Sequence, residues 1–288
     1  KYLYGQINLS AHFFKPLIME TINENILNSL SSSERMPLLF LGHGSPMNAI
    51  EENQFVEGFR NIAKQIPIPQ AILCISAHWF IDQTMVTYMD NPKTIHDFYG
   101  FPKELYEVQY PAKGHKELAK EVQKLLSPNE VGLDLSWGLD HGAWSVIKHL
   151  YPKADIPVVQ LSIDYTKEAY YHFHSGSLLQ SLRERGVLII GSGNIIHNLR
   201  MVDYNNFEKD NYGYDWAKEI MENINKKLME DDFEPLINYK AEIQHSNKAI
   251  PSSDHYLPLL YILGAKHKEE KISFFNDKLV GGSLSMTS

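Results

Sequence analysis

Cysteine is almost absent from this sequence: Cys74 is its single example in 288 residues. One thiol forms no intrachain disulfide, no cysteine-rich zinc site and no iron–sulfur cluster. Any metal held here must rest on nitrogen and oxygen. Positive charge is also short, with 27 Lys plus Arg against 35 Asp plus Glu and a formal net charge of −8. Nucleic acid rewards clustered positive charge, so no nucleic-acid partner is expected. Long apolar runs are missing too. A spanning helix needs about 20 predominantly apolar residues. The most apolar stretches, residues 36–42, 71–81 and 187–196, are shorter or interrupted by polar side chains, so no membrane span is expected. Residues 1–18 show no apolar run followed by a small-residue cleavage site. Few cysteines and no secretory signal together point to the cytoplasm. Met19 is one candidate for the natural start; residues 1–18 read equally well as an ordinary N-terminal extension.

What is present is core material: 43% of residues are hydrophobic and 11% aromatic. Short apolar runs recur at residues 37–42 (PLLFLG), 71–77 (AILCISA), 157–163 (PVVQLSI), 187–191 (VLIIG) and 271–275 (KISFF). Continuous apolar runs of four to eight residues read as strands buried on both faces. Between them, residues 55–66, 117–126, 167–185 and 216–229 carry apolar side chains at helical spacing, and residues 255–265 are apolar on most sides. Strands alternating with helices predict an α/β fold: one layered domain with a central mixed, largely parallel β-sheet flanked by helices. No fixed-period repeat and no long Pro/Gly/Ser linker divides the chain. Residues 36–288 form the predicted domain, and residues 1–35 a separate N-terminal extension.

Histidine is plentiful, with 13 copies, and its distribution carries more than its number. His43 follows the first apolar run (LFLGHGSP), His78 the second (ILCISAHW) and His197 the fourth after a short turn (VLIIGSGNIIHN). His255 opens the apolar helix (SSDHYLPLLY). In open α/β sheets, ligand sites form beyond the carboxyl ends of strands, and neutral imidazole is the commonest metal ligand. Taken singly, each of the four reads more readily as a turn, a capping group or a satisfied neighbour. Four such placements in one chain favour a metal site. The HExxH spacing is absent. His172 and His174 are two apart on a predicted helix, where such residues do not face each other. Asp140 is placed to cap a helix beginning at His141. There the helix dipole lowers the imidazole pKa and suits a proton acceptor. His96 lies in an aromatic loop, TIHDFYGFP, at residues 94–102.

The segments MPLLFLGHGSPMNAI (36–50), ISAHWF (75–80), TIHDFYGFP (94–102), YPA (110–112), GLDHGAW (138–144), VVQLSID (158–164), GSGNIIHNLR (191–200), HYLPLLYILGA (255–265) and GSLSM (282–286) resemble, in order, the DOPA-type extradiol dioxygenases. These are class III ring-cleavage dioxygenases. The resemblance implies a non-haem iron(II) enzyme that opens a catechol such as DOPA beside its hydroxyls, using O₂, to give a ring-opened semialdehyde. Zinc is also described as the bound metal in this family. The family's metal-binding histidines match His43, His78, His197 and His255. The wider class holds iron with two His and one Glu, and His255 stands where that Glu would fall. His197 matches an acid/base in that wider class, so both roles stay open for it.

Such chemistry needs open metal positions beside three protein ligands. Three neutral imidazoles leave the full divalent charge, which favours a catecholate. Four imidazoles on the metal would close the site, so His197 is expected to be weakly bound or free. His141 and His197 are the candidate acid/base pair. Ser45, His96, Asn194 and Tyr256 are the expected substrate contacts. Two other readings use the same histidines: a zinc hydrolase, and a non-catalytic metal-binding protein.

Overall fold

The computed structural model describes residues 33–288. The expectations for residues 1–32, including the Met19 start, lie outside the described residues. Six strands form the main sheet: β1 (Leu38–Gly42), β2 (Ala71–Ile81), β3 (Thr84–Thr87), β4 (Val131–Asp134), β5 (Val158–Asp164) and β6 (Val187–Gly193). Their order is β1-β6-β2-β5-β3-β4. All neighbours are parallel except β3 and β5, so the sheet is mixed and largely parallel, as read from the sequence. A two-stranded hairpin, β7 (Leu279–Val280) with β8 (Leu284–Ser285), stands apart.

The strand period of two divides the apolar side chains between two layers. Leu73, Ile75 and Ile189 face one core, which holds α2 (Lys116–Leu125), α4 (Ala169–Leu179), α5 (Asp215–Met229) and α6 (Leu257–Gly264). Ile72, Cys74, Leu188 and Ile190 face the other, against α1 (Gln54–Ala63) and α3 (His141–Leu150). Helices on both faces explain why the central strands are apolar throughout. No helix among the described residues is long and apolar enough to cross a membrane.

Two expectations need correction. Residues 271–275 are not a strand. They run irregularly, with Phe275 exchanging backbone hydrogen bonds with Ser288 at 3.0 Å each, and their apolar side chains serve as packing cover. His78 does not lie beyond the end of its strand. β2 continues to Ile81, and its register with β5 shifts between Ile75 and Phe80. That irregularity spans His78 and turns its side chain toward the site, a common use of bulges.

Candidate metal centre

Five histidines converge from five places in the chain. His43 follows β1 directly, and its N–H donates to the Gly193 carbonyl at the end of β6 (3.2 Å). His78 comes from the irregular part of β2. His141 opens α3, whose cap is Asp140: the carboxylate accepts from the Ala143 N–H, as the sequence predicts. His197 follows β6 and bridges Leu284 of the hairpin. His255 sits in the turn before α6, and its carbonyl accepts from the Asn194 N–H (2.9 Å). A Cβ on Gly193 would overlap that carbonyl, so glycine is what lets the turn reach the end of β6.

The rings of His43, His78 and His255 form a nearly equilateral triangle, with centroid separations of 5.0, 5.1 and 5.1 Å. His141 packs against His78 at 3.8 Å, and His197 stacks on His255 at 3.5 Å. Among the described residues, donor nitrogens of His43, His78 and His141 lie within 4.8 Å of one another. The donor nitrogens thus cluster on His43, His78 and His141, while the triangle of ring centroids joins His43 and His78 to His255.

Each ring of the triangle is held at Nδ1 by an oxygen. Asp254 lies 2.7 Å from Nδ1 of His255, and Asp97 lies 3.1 Å from Nδ1 of His78. Ser192 Oγ is 3.0 Å from Nδ1 of His43, and the same hydroxyl donates to the Gly142 carbonyl (2.5 Å). The Ser192 proton is thus spent, so His43 must donate from Nδ1. A carboxylate only accepts, so His78 and His255 must donate from Nδ1 as well. All three neutral rings then carry their lone pair on Nε2. Nε2 of His43 lies 3.2 Å from Nε2 of His78. With both rings neutral no proton stands between them, and the two facing lone pairs call for a cation: a metal ion or, without one, the second proton that His78 takes up readily.

The electrostatics agree. Burial, reinforced by the neighbouring imidazoles, lowers the pKa of His43 well below its ordinary value. Burial likewise lowers His141 and His255, and takes His197 down to about 3. His78 is the exception. Burial opposes its charge, but the hydrogen bond to Asp97 and the charges of Asp140, Asp97 and Asp254 outweigh it and raise the pKa. Burial also acts against the charge on Asp97, yet its contacts with His141 and His78 hold its carboxyl well below the usual range. Four neutral imidazoles with nearby carboxylates make a cavity that suits a divalent cation.

The chain matches the family described as the catalytic LigB subunit of aromatic ring-opening dioxygenase, over residues 37–283. It belongs to the LigB family. It is 45% identical over 265 residues to a 4,5-DOPA dioxygenase extradiol of Escherichia coli (strain K12), spanning 90% of this chain and 96% of that one. A 4,5-DOPA dioxygenase extradiol of Beta vulgaris is 36% identical, spanning 86% of this chain and 94% of the relative. A crystal structure titled as an uncharacterized protein from Escherichia coli K12 superposes with a TM-score of 0.76 at 41% identity. That match spans 88% of this chain and 98% of the other. As a LigB-family enzyme the chain is an oxidoreductase of the ring-opening dioxygenase class, as its sequence motifs imply.

The expected substrate contacts fare differently from the histidine cluster. Ser45 caps the turn Pro46–Ala49, accepting from the Met47 N–H at 3.2 Å. It lines a cleft of about 550 Å³ that none of the five histidines lines. His96 Nε2 donates to the Val108 carbonyl (2.9 Å), and the ring packs near Phe98 and Trp144. Asn194 is buried, with Nδ2 on the Ser285 carbonyl (2.6 Å) and Oδ1 without a protein partner. Tyr256 is turned into the core. It is fully buried, its hydroxyl donates to the Leu236 carbonyl (2.8 Å), and its ring packs on Tyr239 at 4.6 Å. Core packing and that bond consume both its faces and its polar end.

Asp97 was not among the expected site residues: His96 was, from the same loop, while the neighbouring carboxylate is what reaches the site.

Proposed function

We propose that this protein is a metal-dependent extradiol dioxygenase acting on a catechol such as DOPA, with residues 36–288 as its catalytic unit in the cytoplasm. The facing lone pairs of His43 and His78 carry this reading, together with relatives named for that activity. His43, His78 and His255 would hold iron(II), with zinc as the ion that competes for the same nitrogens. Iron would supply Lewis acidity toward the catechol hydroxyls and the redox access needed for reaction with O₂.

The residues divide the remaining work. Asp97, Asp254 and Ser192 fix the tautomer of the three holding rings, so their lone pairs need no reorganisation. His141 is neutral and buried beside His78, and it accepts a catechol proton at Nε2. His197 lies across the triangle on His255. It is also neutral, so it takes the second catechol proton, and each of the two rings then returns its proton to a product oxygen. Phe98 stands edge-on to His141 at 5.5 Å and shields that proton from water. Catechol plus O₂ balances to the ring-opened hydroxy-semialdehyde acid with no net proton, so each base is restored at the end of a cycle.

The test loads the protein with Fe²⁺ anaerobically, then adds DOPA and air. A yellow semialdehyde with matching oxygen uptake is expected. No oxygen uptake with any catechol would sink the proposal.

A further inference from the structure

We infer that Asp97 is a positioning residue: one carboxylate oxygen ties His78, which holds the metal, to His141, which moves the proton. The inference rests on the function proposed above and assigns a further residue to the same site.

Asp97 Oδ2 lies 3.1 Å from Nδ1 of His78 and 3.0 Å from Nδ1 of His141. Its other oxygen, Oδ1, accepts the backbone N–H of His141 at 2.8 Å. One side chain therefore meets both rings and the first residue of α3. A carboxylate offers about four lone-pair sites, enough for three donors. It accepts only, so a ring that bonds to it presents N–H at Nδ1 and keeps its lone pair on Nε2. The rings touch, with centroids 3.8 Å apart, so a turn of either is felt by the other and by Asp97.

The two contacts are not equal. The one to His141 is short but bent off the ring N–H axis, so Nδ1 of His141 makes no aligned hydrogen bond. Catalytic hydrogen bonds often straighten only in the working complex. His141 is thus the ring with room to turn, and Asp97 is the pivot that keeps its Nε2 free as it does so.

The loop bearing Asp97 is fastened independently of its carboxylate. The Ile95 N–H donates to Leu139 O (2.7 Å), the Leu139 N–H to Lys93 O (2.9 Å), and Trp144 Nε1 to Ile95 O (2.8 Å). Replacing Asp97 by Asn therefore leaves the loop seated. It removes the charge and sets an N–H₂ among the ring N–H donors.

The experiment uses the full chain labelled with ¹⁵N-histidine. Long-range ¹H–¹⁵N spectra of the metal-free protein read each tautomer directly. In the wild type, His78 and His141 should both be Nδ1–H, and in Asp97→Asn both should lose that preference. Zn²⁺ affinity, measured against a chromogenic chelator, should weaken about 10- to 100-fold in Asp97→Asn and recover in part in Asp97→Glu. Finding either ring protonated at Nε2 and not at Nδ1 in the wild type overturns the inference, and this needs no variant to fold. So does an Asp97→Asn protein with unchanged tautomers and unchanged Zn²⁺ affinity. If the tautomers and affinities behave as expected but iron-loaded wild type opens no catechol, the positioning role stands and the functional reading falls. If Asp97→Asn opens catechol with unaltered tautomers, the functional reading stands and the positioning role falls.

Discussion

His197 and His255 lie face to face, with 3.5 Å between ring centroids and 9° between planes. An imidazole lone pair lies in the plane of its ring. Two stacked rings therefore project their lone pairs in nearly parallel planes, which do not meet at one point. His255 is the anchored member, with Asp254 on its Nδ1 at 2.7 Å. His197 is held through its backbone N–H on the Ala249 carbonyl (2.9 Å), and no side-chain hydrogen bond fixes its ring among the described residues. The stack supports one metal ligand and one mobile base, in keeping with the expectation that His197 is the weakly bound or free member.

Substitution should separate those roles. His255→Ala is expected to lower Zn²⁺ affinity at least 100-fold in a chelator competition. His197→Gln is expected to keep affinity within about threefold while kcat of the iron-loaded enzyme falls by about 10²–10⁴, the usual worth of a general acid or base. Equal metal loss in the two variants would return His197 to the ligand set.

His141 invites a pH test. Burial lowers its pKa from the ordinary histidine value, so the neutral, proton-accepting form persists below pH 6.5. The acidic limb of kcat/KM that it controls should therefore lie below that pH. His141→Gln should remove that limb and lower kcat by about 10²–10⁴. The measurement is kcat/KM of iron-loaded enzyme from pH 5 to 8, with bound metal quantified at each point. An unchanged profile in His141→Gln would rule out His141 as the base.

How much of this was legible follows from where the information lies. β1, β2, β5 and β6 are buried on both faces, so each reads as a continuous apolar run, and three of the five site histidines could be placed from those runs alone. β3 (Thr84–Thr87) was not read because four alternating residues do not rise above a loop. β4 (Val131–Asp134) begins in a polar, turn-rich stretch. Residues 271–275 misled because an apolar cover over a sheet edge has the composition of a strand without its partners. Asp97 was unreadable for another reason. Its contact with His141 spans 44 positions and obeys no local period, so only the fold brings the two together.

The crossing of α4 and α6 gives a stability prediction. A Cβ on Gly264 would overlap the Phe173 carbonyl, and one on Gly176 the Tyr261 carbonyl. Both neighbours are backbone, which cannot rotate away. Gly264→Ala should thus destabilise the protein by about 1–3 kcal/mol, the usual cost of overpacking. Chemical denaturation should show a lower midpoint. Because His255 sits in the turn before α6, the same variant should also bind Zn²⁺ more weakly. A midpoint equal to the wild type would mean that the helices separate freely at this contact.

His172 makes stability depend on pH far from the metal centre. It is fully buried in α4, with Nδ1 against the Tyr261 hydroxyl at 3.1 Å. Burial lowers its pKa to about 4. Its folded value is therefore below its unfolded value of about 6.5, and the unfolded chain binds the extra proton between those limits. Stability is fully present above pH 6.5 and is lost as pH falls toward 4. The shift corresponds to roughly 2 kcal/mol lost between pH 7 and pH 5. Urea denaturation at the two pH values should show that loss in the wild type, and His172→Gln should lack this share of it. The other buried histidines contribute equally to both proteins, so the difference between the two slopes isolates His172. Identical slopes would show that the ring is already protonated, or reaches water, in the folded state.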